Sequence, residues 1–397
     1  MTEEMRKTTY SYFLLRFVSS FGTFFISAVY VTFLMSKGLN LFEVNVVNFF
    51  FFATLFACEI PTGAFADVFG RKLSFVIACF LMSLGMFVYG LSTTFWFFVL
   101  AEVIAAAGST FASGAFQAWV VDRLRLQGYE GPVNHIFAKE QQVKNAAAII
   151  ATILGAFLAD RNIALPWFVG GVVMCVAGIS AWILMHEDGY VHKRVTLYEG
   201  IMRMKGVVCD GIRYSKDSDV VRFILLLGVV QFFAVQAPNM QWQPFFGQFL
   251  HNKTSFGFIF ACIAIATMAG SAYAPMFLRA VKEEKIALCI AQGLVGIGLC
   301  ATVLFHVFVP AISFFLIHEI ARGLFIPLKD AYLNDNIPSE QRATLLSFGS
   351  VSHHIGGMIG LLVSGAIAQW YSIPTAWTIS GLVLVCSAFL LFIKTRR

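Results

Sequence analysis

Long apolar runs separated by short polar turns are the main pattern of this sequence. Twelve of these runs have about 20 residues or more, which is the length that crosses the hydrocarbon core of a membrane as a helix. Because backbone groups in lipid must be hydrogen-bonded internally, the runs predict helices. The predicted spans, numbered 1 to 12, are residues 8–36, 42–66, 73–91, 95–121, 139–159, 163–186, 220–250, 255–279, 286–306, 310–334, 343–370 and 374–394.

The longest polar interruption, residues 187–219, divides the spans into two groups of six. It predicts an N-terminal six-helix bundle at 1–186, a cytoplasmic linker at 187–219 and a C-terminal bundle at 220–397. Within the linker, apolar residues recur at helical spacing beside several Lys and Arg residues, which favours an amphipathic helix on the inner membrane surface; a solvated linker is the alternative. The recurring apolar residues are Leu197, Ile201, Met204, Val208 and Ile212.

The two groups of spans resemble each other. "QAWVVD" at 117–122 matches "DAYLND" at 330–335, and "GAFLAD" at 155–160 matches "GAIAQW" at 365–370, at offsets of 213 and 210 residues. Internal repeats of this kind are common in membrane transporters. The sequence therefore predicts an all-α membrane protein of two pseudo-symmetric six-helix bundles.

Composition and charge support this topology. The chain is 58% hydrophobic and 13% charged, whereas a soluble globular chain is roughly 25% charged. With both termini cytoplasmic, all but five of the 28 Lys and Arg residues lie on the cytoplasmic side, as the positive-inside rule requires. The exceptions are Lys37, Arg161 and Lys253 outside, and Arg16 and Arg322 within the membrane. The net charge of +6 is thus explained by topology and does not indicate nucleic-acid binding.

The cysteines and histidines give no sign of catalysis or metal binding. The eight cysteines form no CxxC pair, and no histidine lies at metal-ligand spacing from them. No nucleophile–base pair or phosphate-binding loop stands out, so we expect no catalytic residue, metal or cofactor. A membrane-embedded enzyme is a remote alternative.

The stretch "CEIPTGAFADVFGRK", residues 58–72, places several charges between two apolar runs. We expect Gly63 to allow close packing of span 2 against a neighbouring helix. Gly70 can take the positive φ of a tight turn. Arg71 and Lys72 can pair with Asp67 and satisfy the inside charge rule.

The arrangement G-x-x-A-D-x-x-G-R-K in this turn resembles the signature of the major facilitator superfamily, and "NDNIPSEQRATLLSF" at 334–348 is similar to the corresponding loop of many bacterial members. The resemblance implies an alternating-access secondary transporter with spans 1, 4, 7 and 10 lining a cavity and spans 2, 5, 8 and 11 at the rocking interface. It also implies that Asp67 is a latch against the amino-terminal end of span 11. Two features depart from the family: "FLRAVKEEK" at 277–285 lacks the glycine and aspartate, and span 5 lacks the Gly-Pro motif of many proton–drug antiporters.

Charged residues inside the spans are the candidates for proton coupling, because each costs about 2.5–3.5 kcal/mol on insertion. An apolar cavity disfavours the charged form of a lone carboxyl, so Glu102 in span 4 can carry a proton; a partner on another helix, such as Arg16, is the alternative. Span 10 adds His318 and Glu319. Glu319 lies three residues before Arg322, and pairing within the helix is the purely structural alternative.

Polar and aromatic residues of the spans are the candidates for solute binding. Span 7 carries amides and Trp242 around Pro238 and Pro244, whose missing N–H groups make hinges. Such a lining suits a small amphipathic solute. The candidate cavity residues are Arg16, Gln117, Gln231, Gln236, Asn239, Trp242, Arg322 and His354.

Together these features predict a proton-coupled exporter of a drug-like compound or metabolite, acting as a monomer in the inner (plasma) membrane. Its partners would be a small-molecule substrate, protons and the lipid bilayer. A nutrient or metabolite uptake symporter is the alternative, and a transceptor that binds ligand without net transport is a further one.

Overall fold

The computed structural model describes residues 1–187, 218–336 and 339–395, together with residues 202, 206, 209, 211, 213 and 214. The predicted amphipathic helix of the linker lies outside the described residues. The regular structure of the described residues is helical. The helices are α1 Glu3–Phe24, α2 Tyr30–Ser36, α3 Leu41–Phe69, α4 Arg71–Leu91, α5 Phe95–Ala112, α6 Ala115–Leu126, α7 Asn134–Arg161, α8 Leu165–Leu184, α9 Asp219–Ala234, α10 Gln236–Gly247, α11 Thr254–Val281, α12 Glu284–Val303, α13 Phe308–Asn336, α14 Ser339–Trp370 and α15 Ile373–Thr395.

Eleven helices in the described part of the chain are long and apolar enough to cross a membrane, when α5 with α6 and α9 with α10 are each taken as one span. They coincide with predicted spans 2 to 12. The first predicted span, 8–36, is not one continuous helix: it is divided into α1 and α2. The number twelve therefore stays a prediction.

The interruption of the first span lies at residues 25–29 and is held by α7. The hydroxyl of Thr152 donates a hydrogen bond to the carbonyl oxygen of Phe24 at 3.1 Å, which occupies an acceptor at the end of α1. A Cβ on Gly155 would come within 1.8 Å of the Phe25 carbonyl oxygen, so only glycine allows this approach. The broken segment is thus fixed by packing against another helix.

The fourth and seventh predicted spans are also interrupted. Span 4 bends at Ser113 and Gly114, where Gly114 has φ +71°. Span 7 breaks at Val235, three residues before Pro238. Because proline lacks an N–H, Pro238 cannot bond to the carbonyl four residues earlier, that of Ala234. Pro244 lies inside α10.

Two compact units make up the chain. Unit 1 contains residues 1–37, 50–204 and 252–260, and unit 2 contains residues 38–49, 205–251 and 261–397. The largest fully buried side chains of unit 1 include Trp167, Tyr89 and Phe98, and those of unit 2 include Trp377 and Phe315. Each unit therefore has an aromatic core of its own.

Candidate functional site

Glu102 on α5 is a buried carboxyl group in unit 1, with 5% of its surface exposed. The hydroxyl of Tyr30 donates a hydrogen bond to its Oε1 at 3.0 Å. The hydroxyls of Tyr30 and Tyr89 are 3.3 Å apart. Glu102 and the hydroxyls of Tyr30 and Tyr89 therefore form a hydrogen-bonded chain, in which each hydroxyl can both donate and accept.

Aromatic rings fix the two tyrosines beside Glu102. The ring of Tyr89 stacks on Trp167, with centroids 4.1 Å apart and an interplanar angle of 10°. Trp167 also contacts the rings of Tyr30 and Phe33, at 6.1 and 5.2 Å. Since Tyr30 is the first residue of α2, the break in the first span positions its hydroxyl within hydrogen-bond distance of the Glu102 carboxyl group.

Arg16 forms an ion pair with Glu140 on α7, rather than with Glu102. Glu140 is 4% exposed. It also accepts hydrogen bonds from the Tyr12 hydroxyl at 2.5 Å and from the Gln117 amide at 3.2 Å. Two predicted cavity residues, Arg16 and Gln117, are thus joined by a carboxylate that the sequence analysis missed.

Glu319 on α13 is the buried carboxyl group of unit 2 and is 2% exposed. Its Oε2 lies 3.0 Å from Nη2 of Arg322 and accepts a hydrogen bond from the Thr267 hydroxyl of α11 at 3.2 Å. Nη1 of Arg322 donates to Oδ1 of Asn239 at 2.7 Å. Predicted residues of spans 7 and 10 therefore form one charged network.

His318, the neighbour of Glu319, is fully buried and bonds to a different helix. Its Nδ1 lies 2.9 Å from the carbonyl oxygen of Val295 on α12, while its Nε2 is 3.9 Å from Oε1 of Glu319. The ring packs nearly parallel to Phe315, with centroids 5.5 Å apart. His318 therefore anchors α13 to α12 and lies beside the carboxylate.

The remaining predicted cavity residues of unit 2 are distributed along α9, α10 and α14. Within the described part of the chain, neither amide atom of the buried Gln231 has a hydrogen-bond partner. The amide of Gln236 lies against Gly357 of α14. Trp242 is buried and His354 is half-buried.

The turn between α3 and α4 is shorter than expected and consists of Gly70. Gly70 has φ +98°, which confirms the predicted positive φ. Gly63 is exposed, and among the described residues a Cβ added to it would meet nothing within 4 Å, so the predicted close helix packing at Gly63 is not found in this part of the chain. The predicted contact of Asp67 with span 11 stays a prediction.

Arg71 and Lys72 contact acidic groups that the sequence analysis did not pair with them. Nε of Arg71 lies 3.0 Å from a carboxylate oxygen of Asp122 at the end of α6. The backbone N–H groups of Arg71 and Lys72 donate to the Glu187 carboxylate at 2.5 and 3.3 Å. Nζ of Lys72 lies 4.9 Å from the ring centre of Trp182. Glu187 therefore caps the start of α4, where the helix dipole favours negative charge.

The sequence of this chain is similar to a family profile and to individual known proteins. The family profile of the Major Facilitator Superfamily matches residues 12–317 and 223–397. An uncharacterized MFS-type transporter, YxaM of Bacillus subtilis (strain 168), is 25% identical over 386 residues, 92% of this chain and 89% of the relative. Multidrug resistance protein 2 of the same organism is 20% identical over 332 residues, 81% of this chain and 79% of the relative.

Solved structures share the fold at lower sequence identity. The crystal structure of the nucleoside transporter NupG is 12% identical and aligns with a TM-score of 0.80 over 98% of this chain and 99% of that chain. The helical spans, the family profile and the relatives all describe a multi-pass membrane transporter of small molecules and not an enzyme. The chain belongs to the major facilitator superfamily.

Proposed function

We propose that this protein is a secondary active transporter that works by alternating access and exports a small amphipathic organic solute, such as a drug-like compound or a metabolite, in exchange for protons. It acts in the inner (plasma) membrane with both termini cytoplasmic. Glu102 carries the proton, and the polar residues of spans 7 and 10 contact the solute.

The observation that carries the proposal is the hydrogen bond between Tyr30 and the buried carboxyl of Glu102. A tyrosine hydroxyl donates to an ionised carboxylate and accepts from a protonated one, so it can hydrogen-bond both forms. Burial of an ionisable group at membrane depth costs free energy, and such groups are therefore typical of functional sites. These properties suit a site that binds and releases a proton during each cycle.

Solute contact is assigned to the polar groups of α9, α10 and α13. The amide of Gln231 is buried without a protein partner in the described chain, and a buried polar group of this kind is normally hydrogen-bonded. A hydroxyl or carbonyl group of the solute would supply the missing bond. The guanidinium of Arg322 and the amide of Asn239 add further polar contacts.

The direction of transport is inferred from the names of relatives. Relatives named multidrug resistance proteins favour export. An uptake symporter for a nutrient or metabolite is the alternative. The two differ in the sign of the proton flux relative to solute flux, which is measurable.

Proteoliposomes with an imposed pH gradient test the proposal. A solute is first found by screening purified protein for thermal stabilisation against a library that includes ethidium, an amphipathic fluorescent cation. We expect solute to move against the proton flux in wild-type protein. Glu102→Gln should abolish gradient-driven accumulation while sparing solute exchange, and the exposed Glu130→Gln should retain both.

Two results would overturn the proposal. Solute moving in the same direction as protons would replace export by symport. Gradient-driven accumulation that is unchanged in Glu102→Gln would remove Glu102 from the coupling role.

A further inference from the structure

A separate cavity of about 170 Å³ lies within unit 2, between α9, α13 and α14. Its α9 wall is apolar and includes Val221, Ile224 and Leu225. Three polar residues line the opposite side: Lys329 on α13, and Ser350 and His353 on α14. None of these residues belongs to the proton or solute sites assigned above.

Lys329 supplies a positive charge to this cavity. Its side chain is 17% exposed. Among the described residues, the carboxylate recorded within ion-pair distance is that of Asp330, at 3.7 Å, and this side chain is 52% exposed. Adjacent residues on a helix point in different directions, and an exposed ion pair is weak. The ammonium group has three donors, so the weak pair with Asp330 leaves it hydrogen-bonding capacity, and Lys329 lines the cavity.

His353 is held in place at the same cavity, which Ser350 also lines. The ring of His353 stacks on Phe232, with centroids 4.6 Å apart and an interplanar angle of 1°. A Cβ on Gly228 would lie 2.2 Å from Nε2 of His353, so the missing side chain makes room for the ring. Ser350 is three residues before His353 and lies on the same face of α14. The cavity therefore combines a cation with a fixed imidazole ring and a hydroxyl group.

The cavity volume limits the ligand to a small group. Pockets for drug-sized molecules measure about 300–1,000 Å³, and the share of one liquid water is about 30 Å³. The 170 Å³ here suits one charged group with a short apolar part. The apolar α9 wall would contact the apolar part, and Lys329 would neutralise the charge.

We propose that the cavity formed by Lys329, Ser350 and His353 is a binding site for the carboxylate or phosphate group of a small anion. Lys329 binds the anion as an ion pair, and Ser350 donates a hydrogen bond to it. The anion is either a free solute or the headgroup of a lipid, since both present the same oxygens.

Thermal unfolding of the delipidated, detergent-purified full chain tests this site. Sodium butyrate and sodium phosphate are compared with sodium chloride at equal ionic strength. We expect one of the two anions to raise the Tm in a saturable way. The shift should disappear in Lys329→Met, which removes the charge and keeps most of the length of the side chain. It should persist in Lys282→Met, which removes an exposed charge of unit 2 away from the cavity.

Lipid as the source is tested by native mass spectrometry with phosphatidylglycerol against phosphatidylcholine. Preferential retention of phosphatidylglycerol that Lys329→Met removes would assign a lipid headgroup, and a butyrate or phosphate shift alone would assign a free anion. If Lys329→Met fails to fold, Ser350→Ala should weaken the same binding several-fold. The proposal is overturned if none of the three probes binds in a manner that depends on Lys329 or Ser350.

Discussion

Two buried carboxyl groups, Glu102 in unit 1 and Glu319 in unit 2, lie in predicted spans 4 and 10 and have different neighbours. Glu102 accepts a hydrogen bond from the neutral hydroxyl of Tyr30, whereas Glu319 lies 3.0 Å from the guanidinium of Arg322. A hydroxyl can stabilise either protonation state, but a guanidinium stabilises only the carboxylate. This contrast agrees with the proposal that the coupling proton is carried in unit 1, at Glu102, and that Glu319 of unit 2 serves as the partner of Arg322.

The two sites are nevertheless built in the same way. In each unit, one span is interrupted, and a side chain just after the interruption hydrogen-bonds to a residue of the span that carries the carboxyl group. Tyr30 is the first residue of α2, after the break at 25–29, and Asn239 lies in the first turn of α10, after the break at Val235. Asn239 bonds to Arg322 and not to Glu319 directly. A change in the geometry of either break would therefore move Tyr30 or Asn239 and alter the hydrogen bonds at the corresponding site.

The largest expected effect comes from Arg322→Met. Removing one partner of a buried ion pair leaves an uncompensated charge and typically costs about 3–5 kcal/mol. Because the Arg322 side chain is 24% exposed, we expect a loss near the lower end of this range. We expect a strongly lowered Tm in detergent, and partial recovery when Glu319→Gln is added, because the amide removes the stranded charge. Double-mutant analysis of the unfolding free energy measures this coupling.

The control for Arg322→Met is Arg222→Met. Arg222 pairs with Asp219 at the same three-residue spacing, but both side chains are exposed. An exposed pair contributes about 0–1 kcal/mol. Equal losses of stability in the two variants would show that Glu319 is not a buried fixed charge, and the contrast with Glu102 would fail.

Helix positions were predictable from the sequence because a membrane span requires a long apolar run. Predicted span 3 at 73–91 and the observed α4 Arg71–Leu91 differ by two residues at one end. The break in span 7 had a local signal, since Pro238 removes a backbone donor. The break in span 1 had none: residues 25–29 contain neither proline nor glycine. It depends on the contacts of α7 with Phe24 and Phe25.

The candidate sites were predictable only in part. Glu102, Glu319 and Arg322 stood out because a charge within an apolar run needs an explanation. Glu140 lies in the polar sequence "AKEQQVKN", where it resembles an ordinary charge at a helix end. Its burial arises from Tyr12 and Arg16 of α1, more than 120 residues earlier in the sequence. Glu187, at the start of the predicted linker, was missed because its partners Arg71 and Lys72 are also distant in the sequence.

A smaller effect is expected for Tyr30→Phe. The substitution keeps the ring that contacts Trp167 and removes the hydroxyl bonded to Glu102. Leaving a buried acceptor without this donor costs about 1–3 kcal/mol. We expect a moderately lowered Tm and a lower steady-state accumulation of solute under a pH gradient.

The exposed Tyr10→Phe is the matched control for this variant, and it should leave both properties unchanged. If Tyr30→Phe accumulated solute as the wild-type protein does, the hydroxyl would have no part in coupling. Glu102 would then differ from Glu319 in its surroundings but not in its function.

The smallest effect is expected for Thr267→Val, the hydroxyl deletion that corresponds to Tyr30→Phe in unit 2. The Thr267 hydroxyl is shared between Oε2 of Glu319 at 3.2 Å and the carbonyl oxygen of Ile263 at 2.9 Å. The same Oε2 keeps its ion pair with Arg322. We therefore expect a loss near the lower end of the range for a hydrogen bond, about 0.5 kcal/mol, by thermal unfolding.

Thr302→Val provides the reference for Thr267→Val. The Thr302 hydroxyl is buried and bonds to the carbonyl oxygen of Gly298 within its own helix. The difference between the two variants isolates the bond from Thr267 to Glu319. If Thr267→Val lowered stability as much as Tyr30→Phe, a hydroxyl and not Arg322 would be the main partner of Glu319. Glu319 would then be a candidate for proton exchange like the one proposed for Glu102, and each unit would hold a candidate coupling site.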